Sequence, residues 1–280
     1  MRWIVRGLLA LVALACLVLG VVYAGSEWMI RKSHAAPLPA IAADRSPAGV
    51  AEGARIASVM GCRGCHGPNG NGVLLADVPG VIHVATPALA RAAAGYSDAE
   101  LARLIHHGIK RDGSGVYVMP VEGHARIADE DVARIIGWLR TLKPSPADRT
   151  DGLRFGPMGR LAILLGKLKP EVDARPLASA RRNADVGEYI AQSACASCHS
   201  LTEPREAHDD GRRVPPLLEV GPAYDLPAFR TLLRTGAGMS PRDLGLMKRV
   251  AKGDLSHLTD GEIAALHAYL KREAEKQPAK

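Results

Sequence analysis

The chain has 280 residues, 47% hydrophobic, 23% charged and 4% aromatic, with a net charge of +7. This length predicts two domains with modest cores, and the composition excludes a collagen, a low-complexity polymer and a disulfide-dense miniprotein. The charge excess sits in residues 1–46 and 146–182, while the two longer segments are near neutral. A nucleic-acid binder carries its excess on a folded face, so no nucleic-acid partner is expected.

The first element is the charge-free run from Gly7 to Gly25, preceded by Arg2 and Arg6. A helix of about 20 apolar residues spans a bilayer core, whereas the apolar part of a cleaved signal is about 7–15 residues. The length favours a retained anchor, although Val22-Tyr23-Ala24 would serve as a cleavage site. Lipidation of Cys16 is disfavoured, because strongly apolar residues continue after it. Either way the rest of the chain is exported. Residues 1–30 therefore read as a membrane anchor or signal segment, and 31–46 as a linker.

Five cysteines follow a plain pattern. Cys62–Cys65 and Cys195–Cys198 form two CxxC pairs, each followed directly by a histidine, His66 and His199. CxxCH is the attachment motif of c-type haem: two thiols add to two vinyl groups, and the next imidazole then lies under the iron as its proximal ligand. A single zinc site gives no reason for a trailing histidine and would place its pairs about 15–20 residues apart. Disulfides or a thioredoxin-like redox motif need no such histidine either.

The two motifs lie in two repeats of one unit. Upstream, Pro47 to Met60 and Ala184 to Ala194 read as short helices containing Gly53 and Gly187. Downstream come the Pro turns Thr86-Pro87-Ala88-Leu89 and Gly221-Pro222-Ala223-Tyr224. Helices follow over 98–108 and 226–236; Ser97 and Glu100 make a capping box for the first, and Gly108 and Gly236 end them. Eleven residues after each glycine stands a methionine, Met119 and Met247. Final amphipathic helices run over 128–142, with Trp138, and 259–276, with Tyr269 and a capping box at Thr259 and Glu262. His106 and His107 read as a pair at a helix C-terminus, and His34, His83, His124 and His208 as loop residues. Between the repeats, 146–182 holds a short apolar helix at 158–168, bounded by Pro157 and Pro170 and too short to span. It could pack across one or both haem domains, lie on the membrane surface or dock a partner; packing is favoured.

The two halves resemble class I c-type cytochrome domains, over about 47–145 and 183–276, through CRGCHGPNGNG with a later Val118-Met119-Pro120 and through CASCH with Met247. The resemblance implies an all-α fold: an N-terminal transmembrane helix followed by two tandem cytochrome c domains, at 47–145 and 183–280. It implies first and last helices crossing near a glycine and an aromatic ring, here Gly53 with Trp138 and Gly187 with Tyr269. It further implies that Met119 and Met247 are the sixth iron ligands, and that Pro87 and Pro222 supply carbonyls to His66 and His199. Met247 lacks a following proline, and Met239, His257 and His267 compete with it; the shared offset from glycine favours Met247.

The expected cofactors are two covalent haem c groups. The expected function is electron carriage by a membrane-anchored diheme cytochrome facing the bacterial periplasm. Its partners would be redox proteins: a donor dehydrogenase or quinol-oxidising complex, and an acceptor oxidase or cytochrome. The connector is similar to that of cytochrome subunits of membrane-bound dehydrogenases, which makes a permanent electron-transfer subunit the alternative. A diheme peroxidase with an open sixth site is a weaker one, since both halves carry the same methionine offset.

Overall fold

Local signals set where the helices begin and end. Ser46 caps α2 (Pro47–Val59), its side chain accepting from the Gly49 N–H, with proline at the first helical position. The Ser97–Glu100 capping box opens α5 (Asp98–His107), and Gly108, at φ 66°, closes it. Thr259 and Glu262 cap α13 (Asp260–Glu275) in the same way. The computed structural model describes residues 1–173, 182, 185–206 and 211–277; His208 and the expected domain start at 183 lie outside them.

Helix α1 (Arg2–Ile30) is 29 residues long and almost wholly exposed, and it is apolar enough to cross a membrane. The first half then runs α2, α3 (Cys62–His66), β1 (Leu74–Val78), β2 (Ile82–Ala85), α4 (Leu89–Ala94), α5, α6 (Val121–His124) and α7 (Asp129–Leu139). After it come β3 (Leu153–Phe155) and α8 (Pro157–Leu164). The second half runs α9 (Val186–Ile190), a π-helical turn over Ala191–Cys195, β4 (Arg205–Glu206), β5 (Arg213–Val214), α10 (Leu217–Val220), α11 (Leu226–Thr235), α12 (Leu246–Gly253) and α13.

The protein is mostly helical rather than wholly so. An antiparallel sheet β1-β2-β3 has Ala76, Val84 and Leu153 in register, with Val78, Ile82 and Phe155 two positions on. These apolar residues share one face, and Asp77, His83 and Arg154 share the other. His83 is therefore a strand residue, 2.9 Å from Asp151. A shorter pair, β4-β5, stands at the same place in the second half. The all-α expectation missed both because each strand is only two to five residues long, and the third strand of the larger sheet, β3, comes from about 70 residues away.

In each half the first helix crosses the last at a glycine. A β-carbon on Gly53 of α2 would run into the Arg134 carbonyl of α7, and one on Gly187 of α9 would meet the Ala265 carbonyl of α13 and come within 2.7 Å of Tyr269 Cβ. Only hydrogen fits at either crossing. A continuous apolar core joins the two halves, from Ile56, Ile135 and Ile136 to Ile263, Leu266 and Leu270. The short apolar helix of the connector packs on the first half, Gly159 against the Val81 carbonyl, and at the connector's end Arg182 reaches Asp131 of the first half and the Tyr189 ring of the second. The connector's strand β3 completes the first-half sheet, Glu171 bridges to Val116, and α8 packs against the end of α1.

Candidate functional site

The CxxCH of the first half forms one short helix, α3, entered from Gly61 at φ 78° and left at Gly67 at φ 84°. Both glycines adopt the left-handed region that other residues avoid. This turn aims the cysteines and the histidine from successive positions. His66 Nδ1 lies 2.8 Å from the Pro87 carbonyl. A carbonyl only accepts, so Nδ1 carries the proton and Nε2 keeps the lone pair that binds a metal. Thr86 locks this arrangement: its hydroxyl donates to the Cys65 carbonyl at 2.8 Å and accepts the Val73 N–H at 2.8 Å. Burial holds the His66 ring below its ordinary pKa, with the Pro87 carbonyl acting the other way. The Cys62 thiol is pushed up to about 12, first by burial and then by the neighbouring Cys65 and Asp254.

The second half repeats the design with a different residue. His199 Nδ1 lies 2.8 Å from the carbonyl of Pro215, not Pro222. Pro222 belongs instead to a 3-10 turn, Gly221–Ala223, that packs on α13. The reason is loop length. Histidine and carbonyl stand 21 residues apart in the first half and 16 in the second, so aligning the proline turns by order alone overshoots. The register was legible in one feature: Pro87 stands two residues before Leu89, the start of α4, and Pro215 two before Leu217, the start of α10. The two leucines are held alike, Leu89 N–H on the Gly70 carbonyl at 2.7 Å and Leu217 N–H on the Ser200 carbonyl at 2.9 Å. Val214 takes the place of Thr86, so the second half has no hydroxyl clamp there.

A cavity of about 410 Å³ opens beside His199. Cys195, Cys198, His199 and Met247 all line it, together with apolar side chains such as Phe229, Leu233 and Leu266. Met239 is 63% exposed and is not among the lining residues. His267 is packed, its Nε2 donating to the Tyr224 carbonyl at 2.8 Å, and His257 is exposed. An apolar slot walled by two thiols, an imidazole and a thioether fits haem c. In the first half Met119 immediately precedes Pro120, the residue before α6. His124 of that helix is buried, with Nε2 donating to the Met60 carbonyl just ahead of the CxxCH helix at 3.1 Å. Burial lowers its pKa to about 4. His106 is likewise a core residue, donating from Nε2 to the Ile127 carbonyl at 2.9 Å, and His107 donates from Nδ1 to the Asp173 carbonyl at 2.7 Å. These three histidines brace the fold through specific carbonyls. Sequence patterning gives no sign of such partners.

Each CxxCH segment is packed by a residue of the other half, in a reciprocal way. Asp254, after α12 of the second half, presses on the first motif: a β-carbon on Gly64 would lie 2.7 Å from its Oδ1. Gly123 of α6 in the first half packs against Ser193 and Ser197 at the second motif. Burial, then the neighbouring Asp254 and Cys198, raises the Cys65 thiol. Among the described residues no group of three or more His, Cys, Asp or Glu converges as a metal site.

Comparison with known proteins agrees with this chemistry. Residues 50–143 match the family "Cytochrome c". The chain is 26% identical over 274 residues to the fructose dehydrogenase cytochrome subunit of Gluconobacter japonicus, covering 86% of this chain and 55% of that protein. It is 26% identical over 261 residues to the gluconate 2-dehydrogenase cytochrome c subunit of Pantoea cypripedii, covering 79% of this chain and 59% of that protein. The chain thus spans less than two thirds of either relative.

Proposed function

We propose that the chain, whose residues 50–143 match the cytochrome c family and which is similar to cytochrome subunits of dehydrogenases, is a diheme electron-transfer protein, anchored by α1 with both halves in the bacterial periplasm. The observation that carries this reading is the recurrence of one arrangement: a CxxCH helix whose histidine Nδ1 is held by a proline carbonyl at 2.8 Å, once at His66 and once at His199.

Bound haem c supplies a one-electron ferric/ferrous couple. Cys62 and Cys65, and Cys195 and Cys198, would hold the two groups covalently. His66 and His199 would ligate through Nε2, oriented by Pro87 and Pro215. Met119 and Met247 would supply thioether ligands, which would raise the reduction potential and leave the iron no place for substrate. The apolar walls exclude water. The packing of Asp254 on Gly64 and of Gly123 on Ser193 and Ser197 holds each motif against the other half, which favours transfer between the halves, so that a donor and an acceptor can dock at different ends of one chain. The relatives favour a second reading, a permanent subunit of a membrane dehydrogenase.

A pyridine haemochrome assay tests the first point, with two haems per chain expected. Carbon monoxide added to the reduced protein tests the ligation. An unchanged spectrum is expected from two closed sites, and rapid binding would replace the carrier reading with an enzyme or sensor. Purification from the native membrane with a stoichiometric catalytic subunit would decide for the subunit reading over a free carrier.

A further inference from the structure

We propose that the outer face of α8 lies in the membrane surface beside α1, so that the protein holds the bilayer by a second, interfacial element; this rests on the reading of α1 as a retained span. The apolar run Gly7–Gly25 is about 28 Å long at about 1.5 Å per residue, close to the bilayer core thickness of about 30 Å. Its end at Gly25 therefore marks the level of the bilayer surface. Helix α8 is pinned at that level. Leu164 Cδ1 sits 2.8 Å from the β-carbon position of Gly25. The Arg160 guanidinium stacks 4.7 Å from the Tyr23 ring and donates to Ser26 Oγ at 3.1 Å and Glu27 Oε2 at 2.9 Å.

The two faces of α8 differ in what covers them. Gly159 and Ile163 are buried, Gly159 against the Val81 carbonyl. Met158, Leu161 and Leu165, spaced three and four apart and so on one stripe, are 66%, 42% and 63% exposed. Among the described residues nothing covers these exposed faces. Their continuity with the exposed apolar surface of α1, at the level where that surface ends, identifies lipid as the occupant. The flanking residues agree. Lys167 and Lys169 follow the helix, and Arg31 and Lys32 follow α1, where cations meet anionic headgroups. Trp28, 71% exposed, stands where interfacial aromatics collect.

The test is photolabelling of the full-length holoprotein in nanodiscs of phosphatidylcholine and phosphatidylglycerol, using a phosphatidylcholine with a diazirine in its acyl chain. Trypsin releases residues 155–160 and 161–167 as separate peptides. Lipid adducts are expected on both, at Met158, Leu161 and Leu165, and on 7–31, with yields well above those on 214–230 of the second half. Leu161→Glu combined with Leu165→Glu is expected to remove the Met158 adduct while labelling of 7–31 persists. Labelling of 7–31 without 155–167 would overturn this inference and leave the anchor standing. Labelling of neither would overturn both. Crosslinks from 155–167 to a second protein chain would overturn lipid in favour of a protein partner.

Discussion

The Tyr189 hydroxyl of the second half donates a 2.8 Å hydrogen bond to the Asp131 carboxylate of the first, and itself accepts the Ala128 N–H at 3.2 Å. Asp131 is fully buried and also holds Arg134 and Arg182 at 2.8 Å. Burial, then the neighbouring carboxylate, keeps the phenol protonated. Tyr189→Phe leaves a buried carboxylate short of one donor and is expected to cost about 1–3 kcal/mol. Because the pair bridges the halves, the loss should appear in one cooperative thermal transition of the holoprotein. Loss from the second half alone would argue against a shared core.

The glycine crossings give a steric prediction. Gly187→Ala drives a methyl into the Ala265 backbone, and backbone cannot yield as a side-chain tip can. A loss of about 1–3 kcal/mol is expected from overpacking. Gly261→Ala, in the first turn of α13 with open space around its β-carbon position, is the matched control and should be neutral or slightly stabilising. Urea melts of both variants check the pair.

Asp254 gives a pH prediction. Burial raises its carboxyl to about 6, partly offset by the Gly64 N–H, and its Oδ1 has no hydrogen-bond partner. The folded chain keeps this proton up to about pH 6, while the unfolded chain releases it near 3.8. The folded state therefore binds more protons between those values, and stability falls as pH rises across that window. Asp254→Asn is expected to flatten that slope and to stabilise the protein above pH 6 by roughly 2–3 kcal/mol. Denaturation curves on both sides of the window measure it; an unchanged slope would mean the carboxyl ionises at its ordinary pKa.

Ligand removal separates the methionines. Met247→Ala is expected to open the second site to carbon monoxide and to lower its potential, and Met119→Ala to do the same in the first. Met239→Ala should leave both unchanged, since that side chain is exposed outside the cavity. Redox titration of the three variants reads the difference.

Haem is also expected to be part of the core. A variant with Cys195 and Cys198 both replaced by alanine leaves the second-half cavity of about 410 Å³ without a covalently held group. It should lose cooperative unfolding in that half, visible by calorimetry as a smaller, broader transition. A native-like melt would show that the polypeptide packs without the cofactor.

What the sequence by itself determined is what covalent and short-range geometry controls. The CxxCH motifs were plain because two thioethers and an axial imidazole require those residues at that spacing. The capping boxes at Ser97–Glu100 and Thr259–Glu262 close within three residues, and both are present. The tertiary structure decided whatever depends on contacts between distant segments. Loop length chose Pro215 over Pro222 as the carbonyl facing His199. Core packing placed His106 and His124 on the carbonyls of Ile127 and Met60, where patterning suggested a helix end and a loop. The pairing of Tyr189 with Asp131, and the docking of α8 on the end of α1, join residues 58 and 134 positions apart. No local propensity encodes such contacts, because their free energy comes from burial and desolvation that exist only once the chain has folded.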